Sequence, residues 1–153
     1  LRSVQRAGFE DSFTFHQNYS QDLLPQFLIA GAKFDFIFID GHHTFDDTMN
    51  DFYYCEKILK DGGVICFHDI RYFPSVRKVI TFVLRNMNYE PAMDLILPAA
   101  TRLDRIKRTV RMIAHYPWDP FCWRLADAWR RANLFVVRRR GPDNRRYDHY
   151  RPF

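Results

Sequence analysis

Two apolar runs of strand length frame the middle of the chain: Phe34-Asp35-Phe36-Ile37-Phe38-Ile39 and Val64-Ile65-Cys66-Phe67. Nearly continuous hydrophobicity of this kind suits strands buried on both faces, as in a parallel sheet covered by helices. Between them Thr44 is placed to cap a helix, and Asp47 three residues on supplies an acidic first turn resembling a capping box. Met49, Phe52, Cys55 and Leu59 follow at helical spacing, and Asp61-Gly62-Gly63 is expected to stop that helix. After Pro74, the positions Val76, Val79, Ile80, Val83 and Met87 mark one face of a further helix. Upstream, Phe13 to Phe15 reads as a short strand. Leu23, Leu24, Phe27 and Leu28, following Ser20-Gln21-Asp22, read as a helix. Strand and helix alternating in this way predict right-handed crossovers and a mostly parallel α/β sheet.

From Pro91 the pattern changes. Residues 101–116 predict a basic amphipathic helix, with Leu103, Ile106, Val110 and Ile113 on one side and Arg102, Arg105, Lys107, Arg108 and Arg111 over much of the rest. Pro117 and Pro120 break it, a helix carrying Trp123 and Trp129 follows, and Leu134 to Val137 reads as a last strand. Arg138 to Phe153 has no apolar periodicity, so residues 142–153 are expected to form a mobile basic tail.

Composition narrows the class. A chain of 153 residues that is 47% hydrophobic can bury a real core. The three cysteines are scattered and odd in number, which argues against a disulfide framework and points to a reducing, cytoplasmic setting. No apolar run reaches the length of a membrane span, and no signal-peptide pattern opens the chain. Charge is unevenly divided. Residues 1–100 hold 9 Lys/Arg against 13 Asp/Glu, whereas residues 101–153 hold 14 against 5. An acidic half that carries candidate chemistry is thus joined to a basic half that needs its own explanation.

The candidate chemistry lies at the strand ends. In open α/β sheets, ligands bind outside the carboxyl ends of the strands. Asp40, His42 and His43 follow the first apolar run, and His68 and Asp69 follow the second. A single Asp at such a place commonly closes a turn, and a single His is commonly a loop residue. Two successive strands ending in Asp/His pairs on one sheet edge point instead to a ligand site. Carboxylates there can bind hard cations or hydroxyls, and imidazoles can act as general bases near neutral pH.

These segments, Phe-Asp-Phe-Ile-Phe-Ile-Asp-Gly-His-His, then Leu-Lys-Asp-Gly-Gly-Val-Ile and Phe-His-Asp-Ile, resemble class I S-adenosylmethionine-dependent methyltransferases. The resemblance is to the small-molecule O-methyltransferases of macrocin and catechol type. Asn18-Tyr19-Ser20-Gln21-Asp22-Leu23-Leu24-Pro25 resembles the family's loop after its third strand. The resemblance covers roughly residues 10–90, with Leu134 to Val137 as a seventh strand. It implies that Ser20 and Gln21 sit near the adenine of S-adenosylmethionine, with Asp40 and His42 also at the cofactor. It implies Asp40, His68 and Asp69 as ligands of a divalent metal, and His43 as the general base acting with Asp40 on a small-molecule hydroxyl. His68 stands where a carboxylate is usual, which opens the choice of metal beyond magnesium.

The family's glycine-rich cofactor turn has no counterpart here: only six glycines occur, and none form a Gly-x-Gly pattern. Leu1 in place of an initiator Met fits the later part of a longer protein. The expected architecture is therefore an incomplete Rossmann-like core. Residues 1–91 form its carboxyl part, residues 92–133 a helical insertion or lid, and residues 134–141 the last strand. The Phe34 to Ile39 strand would then present an apolar edge, to be covered by a missing N-terminal segment or by self-association. Two other readings stay open. One keeps the Asp40/His68/Asp69 cluster in a metal-dependent hydroxylase- or hydrolase-like enzyme. The other is a non-catalytic module that binds an anionic partner through the basic half. Nucleic acid is the weaker expectation there, because charge along an amphipathic helix is ordinarily a solvated face.

Overall fold

The computed structural model describes residues 2–93 and 132–153, together with Leu103, Ile106 and Val110 between them. Helix α1 (Arg2–Arg6) leads through a 3-10 turn at Glu10–Ser12 into an extended stretch, and then come α2 (Ser20–Ile29), β1 (Phe34–Ile39) and α3 (Phe45–Ile58). They are followed by β2 (Leu59–His68), α4 (Pro74–Asn86), β3 (Tyr89–Pro91) and β4 (Leu134–Arg139). The sheet order is β1-β2-β4-β3. β1 pairs parallel with β2, β4 runs antiparallel to β2, and β3 runs antiparallel to β4. Three strands therefore share one direction and β4 alone opposes them, the incomplete Rossmann-like arrangement expected from the sequence. No helix among the described residues is long and apolar enough to cross a membrane.

Strand alternation divides the core into two faces. Ile65 and Phe67 of β2, paired with Val137 and Phe135 of β4, pack beneath Phe52 and Cys55 of α3 and Val76, Val79, Ile80 and Val83 of α4. Cys66 and its partner Val136 face the other way, against Ala92. The helical periodicities of α3 and α4 thus map onto one side of the sheet. Thr44 caps α3 as expected: its side chain accepts the Asp47 amide and donates to the Asp47 carboxylate.

Several sequence expectations need correction. β1 is not buried on both faces: Phe34, Phe36 and Phe38 are exposed, Phe36 by 56%. β1 is the edge of the described sheet: no described strand pairs with its outer side, and Phe27 of α2 meets only the ring of Phe34, edge-on at 5.9 Å. An apolar groove of about 250 Å³ runs beside it, lined by Leu24, Phe27, Ile37 and Ile58 among others. Phe13 to Phe15 is extended but has no ladder partner among the described residues, so it is not a strand.

Helix α3 ends at Ile58, before Asp61-Gly62-Gly63, because Leu59 is already paired with Phe34 and buried. The chain then bulges through Lys60–Gly63 opposite Asp35 alone, with Gly62 at φ +75°, and rejoins the ladder at Val64. Arg139 of β4 supplies the helix stop. Its Nη1 donates to the carbonyls of Glu56 (2.8 Å) and Leu59 (3.1 Å), and its Nε lies 3.2 Å from Asp61. β3 went unanticipated, being three residues long and ending in proline.

The tail expected to be mobile runs back over α4. The buried Asn86 amide donates to the Arg151 carbonyl (2.9 Å) and accepts from the Arg151 amide (2.7 Å). Phe153 sets its ring edge-on to Phe82. The expected insertion at residues 92–133 lies almost wholly outside the described residues. Leu103, Ile106 and Val110, its described helical positions, are exposed.

The edge position of β1 makes a stability contrast. Phe67→Ala, in the closed core, should cost about 3–5 kcal/mol in urea unfolding, whereas Phe36→Ala should cost under about 1 kcal/mol. Equal losses would contradict the exposed face of β1.

Candidate active site

The site begins with strand register. Ile39 pairs with Phe67, so the next residue on each strand, Asp40 and His68, emerge side by side at the carboxyl edge of the sheet. His68 Nδ1 lies 2.9 Å from Asp40 Oδ1. Asp69 follows with φ 55°, the one non-glycine residue in the left-handed region among those described. Asp tolerates that conformation better than most side chains, yet it still costs on the order of 1 kcal/mol, and such strain clusters at functional positions. A turn holds it there: the amides of Tyr72 and Phe73 both donate to the Asp69 carbonyl, at 3.2 and 3.1 Å. From α4, Arg77 Nη1 donates to the Ile70 carbonyl (2.7 Å).

His43 enters from the loop between β1 and α3. Its ring stacks on Phe73, with centroids 4.2 Å apart and planes 11° apart, and its carbonyl accepts from Ser75 Oγ. The ring is thereby fixed with Nε2 facing the two carboxylates, 3.2 Å from Asp69 Oδ2 and 3.5 Å from Asp40 Oδ1. Neither oxygen is aligned for a hydrogen bond, and this buried nitrogen makes none among the described residues. Asp40, His43, His68 and Asp69 each place one potential donor atom within 4.8 Å of the others. They draw on two separate stretches of the chain, residues 40–43 and 68–69.

Other predicted site residues lie elsewhere. His42, its side chain 81% exposed, turns away to Asp47 Oδ2 (2.8 Å) on the first turn of α3. Ser20 opens α2 and hydrogen-bonds to Asp51, a carboxylate of α3 that is only 8% exposed. Gln21 is exposed beside it. Asp51 also backs the Asp40-Gly41 turn: a Cβ on Gly41 would lie 2.8 Å from Asp51 Oδ2, so a larger residue there would have to displace that carboxylate. The two segments proposed from the sequence, Ser20-Gln21 and Asp40, are thus joined through one buried acid that sequence reading did not single out.

Asn133 was missed as well. It directly precedes β4, donates Nδ2 to Asp69 Oδ1 (2.6 Å), approaches His68 Nε2 (3.4 Å), and accepts the Arg71 amide at Oδ1 (3.2 Å). The available signal was topological. An antiparallel last strand starts at the edge where its neighbour ends, and Leu134 pairs with His68.

All four clustered residues fall inside the one segment that a family model matches. Residues 1–70 match the family model of a methyltransferase domain. The methyltransferase-domain match runs from α1 through the end of β2 and the start of the turn after it. It includes Ser20, Gln21 and Asp51 and excludes Asn133. Comparison with curated proteins finds no match.

Burial raises the Asp51 pKa above the ordinary carboxylate value of 3.8, against the opposing pull of the Ser20 hydrogen bond. Folding therefore favours the protonated acid. This contribution to stability is complete below the unfolded value and is lost as pH rises through the folded one. Asp51→Asn, which stays neutral, should gain on the wild type in urea unfolding between about pH 3.5 and 7. A difference independent of pH would contradict the buried acid.

Proposed function

We propose that this chain is the acceptor and metal side of an S-adenosylmethionine-dependent methyltransferase acting on a hydroxyl of a small molecule. The methyltransferase-domain match over residues 1–70 supports the reaction class. The observation that carries the reading is the convergence, within that segment, of two carboxylates and a buried imidazole nitrogen that makes no hydrogen bond among the described residues.

The donor set suits a hard divalent cation. Asp40 and Asp69 offer carboxylate oxygens from two strand ends, and ions such as magnesium are typically held by one or two carboxylates plus water and substrate. When bound, such a cation lowers the pKa of a coordinated hydroxyl. His43 is the proton acceptor in this reading. Stacking on Phe73 and the anchored backbone hold its ring still, and Nε2 faces the point on which the carboxylates converge. After proton uptake the adjacent carboxylates stabilise the imidazolium. Positioning of the oxyanion against the sulfonium methyl supplies the remainder.

The methyl donor is assigned to the β1 side of the sheet. Ser20 and Gln21, at the start of α2, are the proposed adenine contacts, with Asp40 next to the donor. His42, engaged with Asp47, has no part in this assignment. The open apolar edge of β1 supports further sheet pairing there, as a complete cofactor cradle requires. That further sheet is the proposed cofactor-binding half, which the described strands lack.

The test uses the product of the complete reading frame. It should bind S-adenosylmethionine in calorimetry and transfer a labelled methyl group in the presence of a divalent cation. His43→Gln should lower the transfer rate roughly 10²–10⁴-fold with little change in donor affinity. No donor binding, with or without cation, would sink the proposal.

A further inference from the structure

We infer that Asn133 fixes the tautomer of His68, making His68 a hydrogen-bond donor that orients Asp40 rather than a ligand of the metal. The metal clause rests on the function proposed above; the tautomer does not.

The backbone amide of Arg71 can only donate, and it meets the Asn133 side chain at Oδ1, 3.2 Å away. That contact settles which end of the amide is oxygen. The NH₂ group must then face the site, where it meets Asp69 Oδ1 at 2.6 Å and His68 Nε2 at 3.4 Å. A carboxylate can only accept, so one N–H goes to Asp69. The other is directed toward His68, where a proton on Nε2 would oppose it. His68 Nε2 therefore carries its lone pair, and the ring proton sits on Nδ1. The opposite side of the ring agrees: Nδ1 lies 2.9 Å from Asp40 Oδ1, an acceptor.

With its proton on Nδ1, the ring turns no lone pair to the cluster, and coordination there would first have to remove that proton and break the bond to Asp40. His68 Nδ1 faces the cluster and is occupied as a donor, while Nε2 faces Asn133. This replaces the sequence-based assignment of His68 as a metal ligand. His68 and Asn133 become positioning residues that hold Asp40 and Asp69 respectively, the supporting role that outer groups play around metal-binding carboxylates. Asn133 also ties the turn containing the strained Asp69 to the first residue before β4, so the last strand contributes to the geometry of the first two.

The experiment is imidazole nitrogen NMR on the metal-free 153-residue protein, followed by titration with Mn²⁺. Wild-type His68 should appear as the Nδ1–H tautomer, and Asn133→Leu should raise the Nε2–H population. Mn²⁺ affinity should fall roughly 10- to 100-fold in Asn133→Leu. It should change only about threefold in His68→Gln, whose amide can still donate to Asp40. An Nε2–H tautomer in the wild type would overturn the inference without need of any variant. So would loss of Mn²⁺ binding in His68→Gln equal to that in Asp69→Asn. If the wild type shows the Nδ1–H form yet binds no Mn²⁺, the metal reading fails and the tautomer assignment stands.

Discussion

Parallel pairing of β1 with β2, in the register that sets Ile39 against Phe67, is the constraint on which the candidate site depends. One residue of slip would turn every side chain of β1 to the opposite face and carry Asp40 away from His68. The register is held by what lies on either side of it. Ile37 and Ile39 face the α3/α4 layer, and Leu59 fixes the start of the ladder at Phe34. The bulge of Lys60–Gly63 absorbs the mismatch between a helix that ends early and a strand that must arrive in phase. Arg139 closes this arrangement from β4, linking the helix end, the bulge and the last strand.

The same pairing leaves the protein asymmetric. One sheet face and one direction of growth are filled, with α3 and α4 over Phe67 and β4 beside β2. The other edge, β1, shows three phenylalanines and a ladder with no partner among the described residues. An edge of this kind is ordinarily blunted by charge, proline or a covering element. Here Asp35, paired with Lys60 at 2.9 Å, is the charged residue within the strand. A methyltransferase reading gives the open edge a role: it is where the sheet that holds the methyl donor would continue. The proposed acceptor side, by contrast, draws on residues that two strand ends, one loop and Asn133 bring together.

How much of this was legible in the sequence varies with the range of the interaction. Local signals served well: Thr44 with Asp47 marked a helix start, Pro74 opened α4, and the apolar spacing of Val76 to Val83 marked its buried face. Asp40, His43, His68 and Asp69 could be gathered in advance because parallel strands put their carboxyl ends on one edge. What local patterns could not carry was the end of α3, which depends on Arg139 some eighty residues away, and the exposure of β1, which depends on its place in the strand order. His42 and His43 are neighbours of the same type, and only the fold separates them. Phe73 and Ser75 hold one in the cluster while Asp47 draws the other aside. Asn133 escaped notice because its meaning comes from the antiparallel start of β4, and Asp51 because a buried acid on a helix face looks like any solvated one.

The most direct test of the account is anomalous diffraction from crystals grown with Mn²⁺. A single peak within about 2.2 Å of carboxylate oxygens from both Asp40 and Asp69 is the predicted result. The His68 ring should be outside coordination distance and still directed at Asp40. A peak bonded to His68, or manganese bound only away from the carboxyl ends of β1 and β2, would contradict it.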